Sequence, residues 1–138
     1  MKTYLTAEGF INFLSYTGTG LLLLLLGVLV FELTTKFSDR ELIRQGNIAV
    51  ALKLWGKGIG LAIVLYTVWG HSLSLFDAFI WGVIGILTQV ISYWIIEYIL
   101  TPKTNLAQKV EEGNVAIGVS LFGASIAVGL IVAGSLTY

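Results

Sequence analysis

The stretch Phe10–Thr34, FINFLSYTGTGLLLLLLGVLVFELT, decides the fold, because it contains only one charged residue, Glu32. A helix rises about 1.5 Å per residue, so this length crosses a hydrocarbon core of about 30 Å. Apolar stretches of similar length follow at about 48–69, 75–100 and 115–136. Backbone groups in lipid must be hydrogen-bonded within their own segment, and strand-like alternation is absent. The sequence therefore predicts an all-α membrane protein with four transmembrane helices.

Composition supports the same class and excludes several functions. The chain is 57% hydrophobic and 12% charged, whereas soluble domains carry about 25% charged residues. Eight basic and eight acidic residues cancel, so nucleic acid is not expected as a partner. With no cysteine and a single histidine, His71, disulfides and thiolate or histidine-cluster metal sites are excluded within one chain. No nucleophile–base pair is visible either, so we predict a protein that is not an enzyme and has no cofactor.

Basic residues in the connections predict the orientation. The N-terminus has only Lys2 before the first apolar run, and no small-residue cleavage site follows Leu33, so we expect a retained helix rather than a secretory signal. The hairpin at 70–74 and the C-terminal tail contain no lysine or arginine. The other two connections do: Lys36, Arg40, Arg44, Lys103 and Lys109. The positive-inside rule then places both charged loops in the cytoplasm and both termini outside.

Local signals predict where helices begin and end. Gly70 suits a helix C-cap, and Ser74–Asp77 fits a capping box that opens the third span. A similar signal, Ser38–Glu41, predicts a short surface helix that runs to about Arg44. The proline, Pro102, lies between spans, where it interrupts no helix.

An internal repeat organises the whole chain. The segment 41–51, ELIRQGNIAVA, aligns with 108–118, QKVEEGNVAIG, at an offset of 67 residues. We therefore divide the chain into two two-helix repeats, 1–69 and 75–138. Because each unit crosses the membrane twice, both have the same orientation, and they are related by an axis along the membrane normal. This parallel arrangement weakens a transporter interpretation, since it lacks the inverted repeats of alternating access.

The repeated motif carries a resemblance to a known family. Gly46-Asn47-Ile-Ala49 and Gly113-Asn114-Val-Ala116 each precede a glycine-rich span. The pattern resembles the YjfL-like bacterial inner-membrane proteins (domain of unknown function 350), which also show two tandem copies. The resemblance covers essentially the whole chain. It implies a multi-pass protein of the bacterial inner membrane and supplies no catalytic residues.

Two lysines inside the second span are the first candidates for function. Lys53 and Lys57 are four residues apart and share one helix face. Ionisable groups inside a membrane are costly and are functional hypotheses by default. Alternatively, each lysine extends its ammonium to the headgroups. Their counterparts in the second repeat are Ser120 and Ala124, so the charge belongs to one copy only.

Three further polar residues lie within or near the ends of spans. Glu32 and Glu97 are at depths comparable with Lys53 and are the predicted partners of the lysines. Such a pair either fixes helix register or forms a polar vestibule for ions or protons. Gln89, near the middle of the third span, is expected to bond across to a neighbouring helix or to line a pore.

Small residues predict close helix packing. Gly56 and Gly60 form a GxxxG motif, and Gly123 and Ala127 are the corresponding positions of the fourth span. Aromatic residues near the predicted boundaries are interpreted as interfacial anchors. These are Tyr66, Trp69, Tyr93, Trp94 and Tyr98. The glycines of the repeat motif are expected to adopt a left-handed turn, and the asparagines to cap the following helix.

Four helices cannot enclose a wide path, so we expect a homo-oligomer in the lipid bilayer. The leading hypothesis is a component that permits ion or small-solute permeation or responds to ions, with Lys53, Lys57, Glu32, Glu97 and Gln89 as its polar elements. The alternative is a membrane scaffold or envelope-stress component that recruits a cytoplasmic protein through the charged loops.

Overall fold

Six helices form the chain in a computed structural model, which describes residues 6–33, 39–100 and 106–136, with the side chains of 96, 97, 100, 106 and 107 left out. In chain order they are α1 (Ala7–Leu33), α2 (Asp39–Arg44), α3 (Ile48–His71), α4 (Leu75–Leu100), α5 (Leu106–Glu111) and α6 (Val115–Ser135). The four long helices are apolar and long enough to cross a membrane. The predicted all-α class with four spans is confirmed, with span boundaries within about three residues. Helix α5 was not predicted.

The Gly-Asn motif builds an elbow before α3 and before α6. Gly46 and Gly113 have φ values of 91° and 90°, the left-handed conformation that glycine adopts without a steric penalty. Each elbow closes with two backbone bonds, as in Gly46 N to Ile43 O (2.9 Å) and Asn47 N to Leu42 O (3.0 Å). This pattern ends a short helix. The asparagine side chain then accepts the first hydrogen bond of the next helix, from Val50 N or Ile117 N.

The two asparagines differ in their remaining contacts. The Asn47 side-chain nitrogen also donates to Val110 O at 3.1 Å and Glu111 O at 3.0 Å, which fastens the first elbow to α5. We expect Asn47→Ala to cost about 2 kcal/mol and Asn114→Ala about 1 kcal/mol, because only the first loses bonds beyond the cap. Denaturant unfolding of the detergent-solubilised monomer, followed by helical circular dichroism, measures both. Equal losses would contradict this account.

Helix α3 is the central element and packs against each of the other five helices. Its closest neighbour is α6. A Cβ added at Gly118 would lie 2.7 Å from Ala49 Cα, one at Gly56 would lie 2.7 Å from Phe122 Cα, and one at Gly129 would lie 2.5 Å from Gly60 Cα. The contacts advance along both helices in the same direction, so α3 and α6 are parallel. Glycine at these points lets the two backbones touch, which favours association in lipid.

Helices α1 and α4 cover other faces of α3. Near the middle of the bundle, Gly27 of α1 lies against Leu61 of α3. Gly82 of α4 lies against Leu23 of α1 in the same way. The resulting core of leucine and valine side chains is centred on Leu23, Leu61 and Val64, which are fully buried.

The α3–α4 hairpin confirms one local prediction and corrects another. Ser74 Oγ accepts a hydrogen bond from Asp77 N, and the Asp77 carboxylate accepts one from Leu73 N, so the capping signal is real. Gly70, however, lies inside α3, which continues to His71 and ends at Ser72 in an extended conformation. Gly70 is not the left-handed cap because the chain turns through extended backbone instead. The repeat division and the outward position of the termini stay predictions.

Candidate functional site

Polar side chains form a buried line along the packed helices, from α2 to the middle of α4. We call this line the polar ladder: Asp39, Lys53, Lys57, Tyr93, Gln89 and Ser125. Each of its side chains is at most 5% exposed. A row of polar groups inside an apolar bundle is costly unless its members satisfy one another. We therefore take this row of side chains, with the contacts among them, as the candidate functional site.

The first step of the ladder is an ion pair. Lys53 Nζ donates to Asp39 Oδ1 at 3.1 Å, with side-chain exposures of 5% and 0%. Asp39, Leu42 and Ile43 are spaced to share the inward face of α2, and this geometry turns the carboxylate into the bundle. Lys53 is thus paired inside the protein rather than extended to the surface.

Asp39 is the site residue that sequence reasoning missed. Its second oxygen, Oδ2, is buried and accepts no hydrogen bond among the described residues. Burial raises the pKa of Asp39 above 3.8, and the attraction of Lys53 opposes this only in part. The missed signal was the repeat, which pairs Asp39 with the apolar Leu106 and so indicates an inward position. The predicted surface character of this helix is wrong for Asp39.

The second step joins Lys57 to Tyr93. The Lys57 side chain is buried, and its Nζ lies 5.1 Å from the centroid of the Tyr93 ring. A cation over an aromatic face is attracted by the ring quadrupole, the more strongly when both are desolvated. Phe31 packs edge-on against the same ring at 5.6 Å. Tyr93 is therefore part of the ladder, and the prediction that it anchors the chain at the membrane interface is wrong.

The third step reaches the middle of the bundle. Gln89 Nε2 donates to Tyr93 Oη at 2.7 Å, and Tyr93 Oη donates to Ser125 O of α6 at 3.4 Å. Gln89 thus connects to α6 through Tyr93 rather than directly. Its Oε1 is buried and accepts no hydrogen bond from the described residues. Gly60 makes room for this group, since an added Cβ would lie 2.9 Å from Tyr93 Oη.

Of the two acidic partners predicted for the lysines, the structure describes the side chain of one. Glu32 accepts a hydrogen bond from Arg40 Nε at 3.4 Å, so it supports α2 beside the ladder. The side chain of Glu97 lies outside the described residues. The ion pair that the structure describes for Lys53 is with Asp39.

The predicted packing residues divide into two groups. Gly56 and Gly60 contact α6, as described above. Gly123 and Ala127 are exposed on the opposite side of α6, and no atom would lie within 4 Å of a Cβ added at Gly123. Within the chain their role in packing is taken by Gly118 and Gly129.

The remaining predicted anchors divide as well. Tyr66, Trp94 and Tyr98 are 81%, 55% and 75% exposed, as expected for side chains that face lipid or its headgroups. Trp69 is half-buried, and its Nε1 donates to Tyr16 O at 3.2 Å. Trp69 therefore fixes α1 to α3.

The chemistry available to the ladder is proton and cation chemistry. It offers a carboxylate, two ammonium groups, a phenol and an amide in two connected groups, Asp39–Lys53 and Lys57–Tyr93–Gln89. Among the described residues, histidine and acidic side chains form no group of three that could hold a metal ion. A separate apolar cavity of about 210 Å³ lies between α1 and α3, lined by Gly20, Leu24, Ala62, Leu65, Tyr66 and Trp69.

Comparison with known proteins gives a consistent family and no solved structure. Residues 4–136 match the family model described as Domain of Unknown Function (DUF350). The chain is 36% identical over 126 residues to the UPF0719 transmembrane protein YshE of Bacillus subtilis, covering 88% of this chain and 90% of that protein. It is 23% identical over 131 residues to the UPF0719 inner membrane protein YjfL of Escherichia coli K12, covering 95% and 97%. A UPF0719 transmembrane protein of Aquifex aeolicus is 26% identical over 120 residues, covering 83% of this chain and 45% of that protein. No solved structure matches the chain.

Proposed function

The chain belongs to the DUF350 family of multi-pass inner-membrane proteins, and from that premise and the polar ladder we propose that it is an ion-responsive membrane component. The observation that carries the proposal is the Asp39 carboxylate, which is fully buried and paired on one oxygen with Lys53, while its other oxygen accepts no hydrogen bond from a described residue. A carboxylate in this state binds a proton more readily than one in water, because burial disfavours its charge.

Burial makes the charge of Asp39 unfavourable where α2 lies against α3, and the attraction of Lys53 compensates for this only in part. Because the pKa of Asp39 is raised while α2 lies against α3, the docked helix binds a proton more tightly than a released one, and acidification favours docking. A rise in pH charges Asp39 and so favours release of α2 from the bundle, after which the carboxylate is hydrated. The exposed Arg40 and Arg44 of α2 would move with it. On the predicted cytoplasmic side, this movement would change the surface that a soluble partner meets. Recruitment of a cytoplasmic protein, the scaffold alternative, would then follow from the same pH response.

Movement of α2 tests the proposal directly. The chain has no cysteine, so Arg44→Cys accepts a single spin label or fluorophore in reconstituted liposomes. We expect the label to become more mobile as the pH rises and the change to vanish in Asp39→Asn, which cannot titrate. Glu111→Cys in α5, which has no equivalent ion pair among the described residues, is the matched control. A label on α2 that is insensitive to pH in the wild type would overturn the proposal.

A second candidate function is permeation of protons or small cations, favoured by the length of the ladder. Its groups continue from Asp39 through Lys57 to Gln89, near the middle of the bundle. We expect Lys57→Ala to change ion flux in liposomes by at least about tenfold if the ladder conducts, since a buried charge dominates the local barrier. Flux equal to that of empty vesicles, from a preparation shown to be oligomeric, would exclude permeation and leave the pH response to be judged on its own.

A further inference from the structure

The contact between α3 and α6 supplies a template for contact between chains. The α3 side of it, which we call the α3 stripe, consists of Asn47, Ala49, Gly56 and Gly60. Each member meets a partner on α5 or α6. These partners are the carbonyls of Val110 and Glu111 for Asn47, Gly118 for Ala49, Phe122 for Gly56, and Gly129 for Gly60. The contact is thus one row of small residues that ends in an asparagine.

The 67-residue offset reproduces this row on α6, where no described part of the chain covers it. We call the counterpart residues the α6 stripe: Asn114, Ala116, Gly123 and Ala127. All four are exposed. Gly123, the counterpart of Gly56, has no atom within 4 Å of an added Cβ. The Asn114 side-chain nitrogen, unlike that of Asn47, donates to no acceptor among the described residues. Asn114 is exposed, so the position that on the first repeat fastens the elbow to α5 is accessible to a second chain here.

The same offset reproduces the partners of the row on α2 and α3. The counterparts are the carbonyls of Ile43 and Arg44, then Ala51, Trp55 and Ala62, which we call the α3 groove. Trp55, the counterpart of Phe122, is 51% exposed. Ala62, the counterpart of Gly129, lines the cavity of about 210 Å³ between α1 and α3. The groove therefore contains an apolar recess beside Ala62. At the equivalent place on α6, beside Gly129, the outer half of α3 is packed instead.

We infer that the α6 stripe of one copy of this chain packs into the α3 groove of a second copy, which repeats between chains the contact that α3 and α6 make within each chain. The stripe and the groove are different surfaces, so the contact is heterologous, and each chain offers one of each. Charge does not oppose it, because neither surface carries an acidic or basic side chain within its membrane-spanning part. The inference does not depend on what the polar ladder responds to.

The geometry of the template favours a closed ring over an open filament. Asn47 bonds to residues 63 and 64 positions further along, and the glycine contacts join residues separated by close to 67. Counterpart residues of the two repeats thus lie at nearly the same depth. A rotation with almost no translation along the helices therefore superimposes one repeat on the other. A rotation without translation closes into a ring when it is repeated. In that ring, α3 and α6 alternate.

Cysteine cross-linking tests the contact in membranes. The chain has no cysteine, and both Trp55 and Gly123 are exposed, so each accepts a cysteine without disturbing the core. We expect Trp55→Cys and Gly123→Cys, co-expressed as two differently tagged chains, to form an oxidised dimer that contains both tags. The double variant on one chain should give a ladder of covalent oligomers, whose largest member reports the number of chains in the ring.

Matched controls define the opposite outcome. Ile95→Cys is 51% exposed on α4 at a depth similar to Trp55, and it should not cross-link with Trp55→Cys. Gly123→Cys alone should form no covalent dimer on oxidation. Cross-linking of Gly123→Cys with itself would indicate a two-fold contact and overturn the inference, as would equal cross-linking at position 95 or none at Gly123.

A bulky substitution gives a second measurement that needs no oxidation. Gly123→Leu is expected to lower the mass of the assembly in native mass spectrometry to that of the single chain, while the monomer keeps its helical signal. Gly18→Leu is the matched control, since Gly18 of α1 is also exposed with no atom within 4 Å of an added Cβ. An unchanged mass for Gly123→Leu, or a wild type that is already a single chain in mild detergent and in membranes, would overturn the inference.

Discussion

Replacing Gly60 by alanine is expected to destabilise the protein by about 2–3 kcal/mol, although alanine is the better helix former by about 1 kcal/mol. An added Cβ would lie 2.7 Å from Ser125 O, 2.9 Å from Tyr93 Oη and 3.1 Å from Gln89 Nε2. The first of these atoms belongs to the backbone of α6 and cannot turn aside. The methyl group therefore separates α3 from α6 and disturbs the middle of the polar ladder at the same time.

The matched control for this prediction is Gly18→Ala in α1. Gly18 is helical, and no atom lies within 4 Å of its added Cβ, so only helix propensity acts there. We expect this variant to be as stable as the wild type or more stable, by up to about 1 kcal/mol. Unfolding in denaturant after solubilisation measures both changes. If both substitutions changed the free energy of unfolding in the same direction, helix propensity, and not the contact with α6, would decide stability at these glycines.

The spans could be predicted from the sequence because lipid imposes a simple rule on length and polarity. The stretch that contains Glu32 predicted α1 because a helix is the only structure that satisfies its backbone there. The Gly-Asn elbows followed from equally local chemistry, since the left-handed glycine and the capping asparagine lie next to each other. Such signals depend on a few neighbouring residues, so one sequence is enough to find them.

The site was predicted only in part because its contacts depend on packing between distant segments. Lys53, Lys57 and Gln89 were found from their polarity inside apolar spans. Asp39 was not, because it lies outside the spans, where a charge is ordinary. Its burial arises when α2 folds back onto α3, which hydropathy does not report. Tyr93 was misassigned for the same reason, since tyrosine is common both at a membrane interface and beside a buried cation.

Single substitutions of the Asp39–Lys53 pair are expected to be more harmful than removal of both charges. Asp39→Asn removes the ion pair of Lys53 but supplies a neutral group, which burial favours at this position, so it should cost about 1–3 kcal/mol. Lys53→Met should cost less, because Asp39 can take up a proton inside the protein. That loss should grow as the pH rises through the raised pKa of Asp39 and should nearly vanish in acid.

The double variant Asp39→Leu/Lys53→Met separates stability from function at this pair. It replaces a desolvated ion pair by apolar side chains of similar volume, which is typically neutral or stabilising by about 1–4 kcal/mol. The residue at the position equivalent to Asp39 in the second repeat of the sequence is apolar, Leu106. We expect near wild-type unfolding in denaturant together with loss of the pH-dependent movement of α2. A double variant as unstable as the worse single variant would show that the ion pair is needed to build the fold, and the response to protons would then have to come from another group.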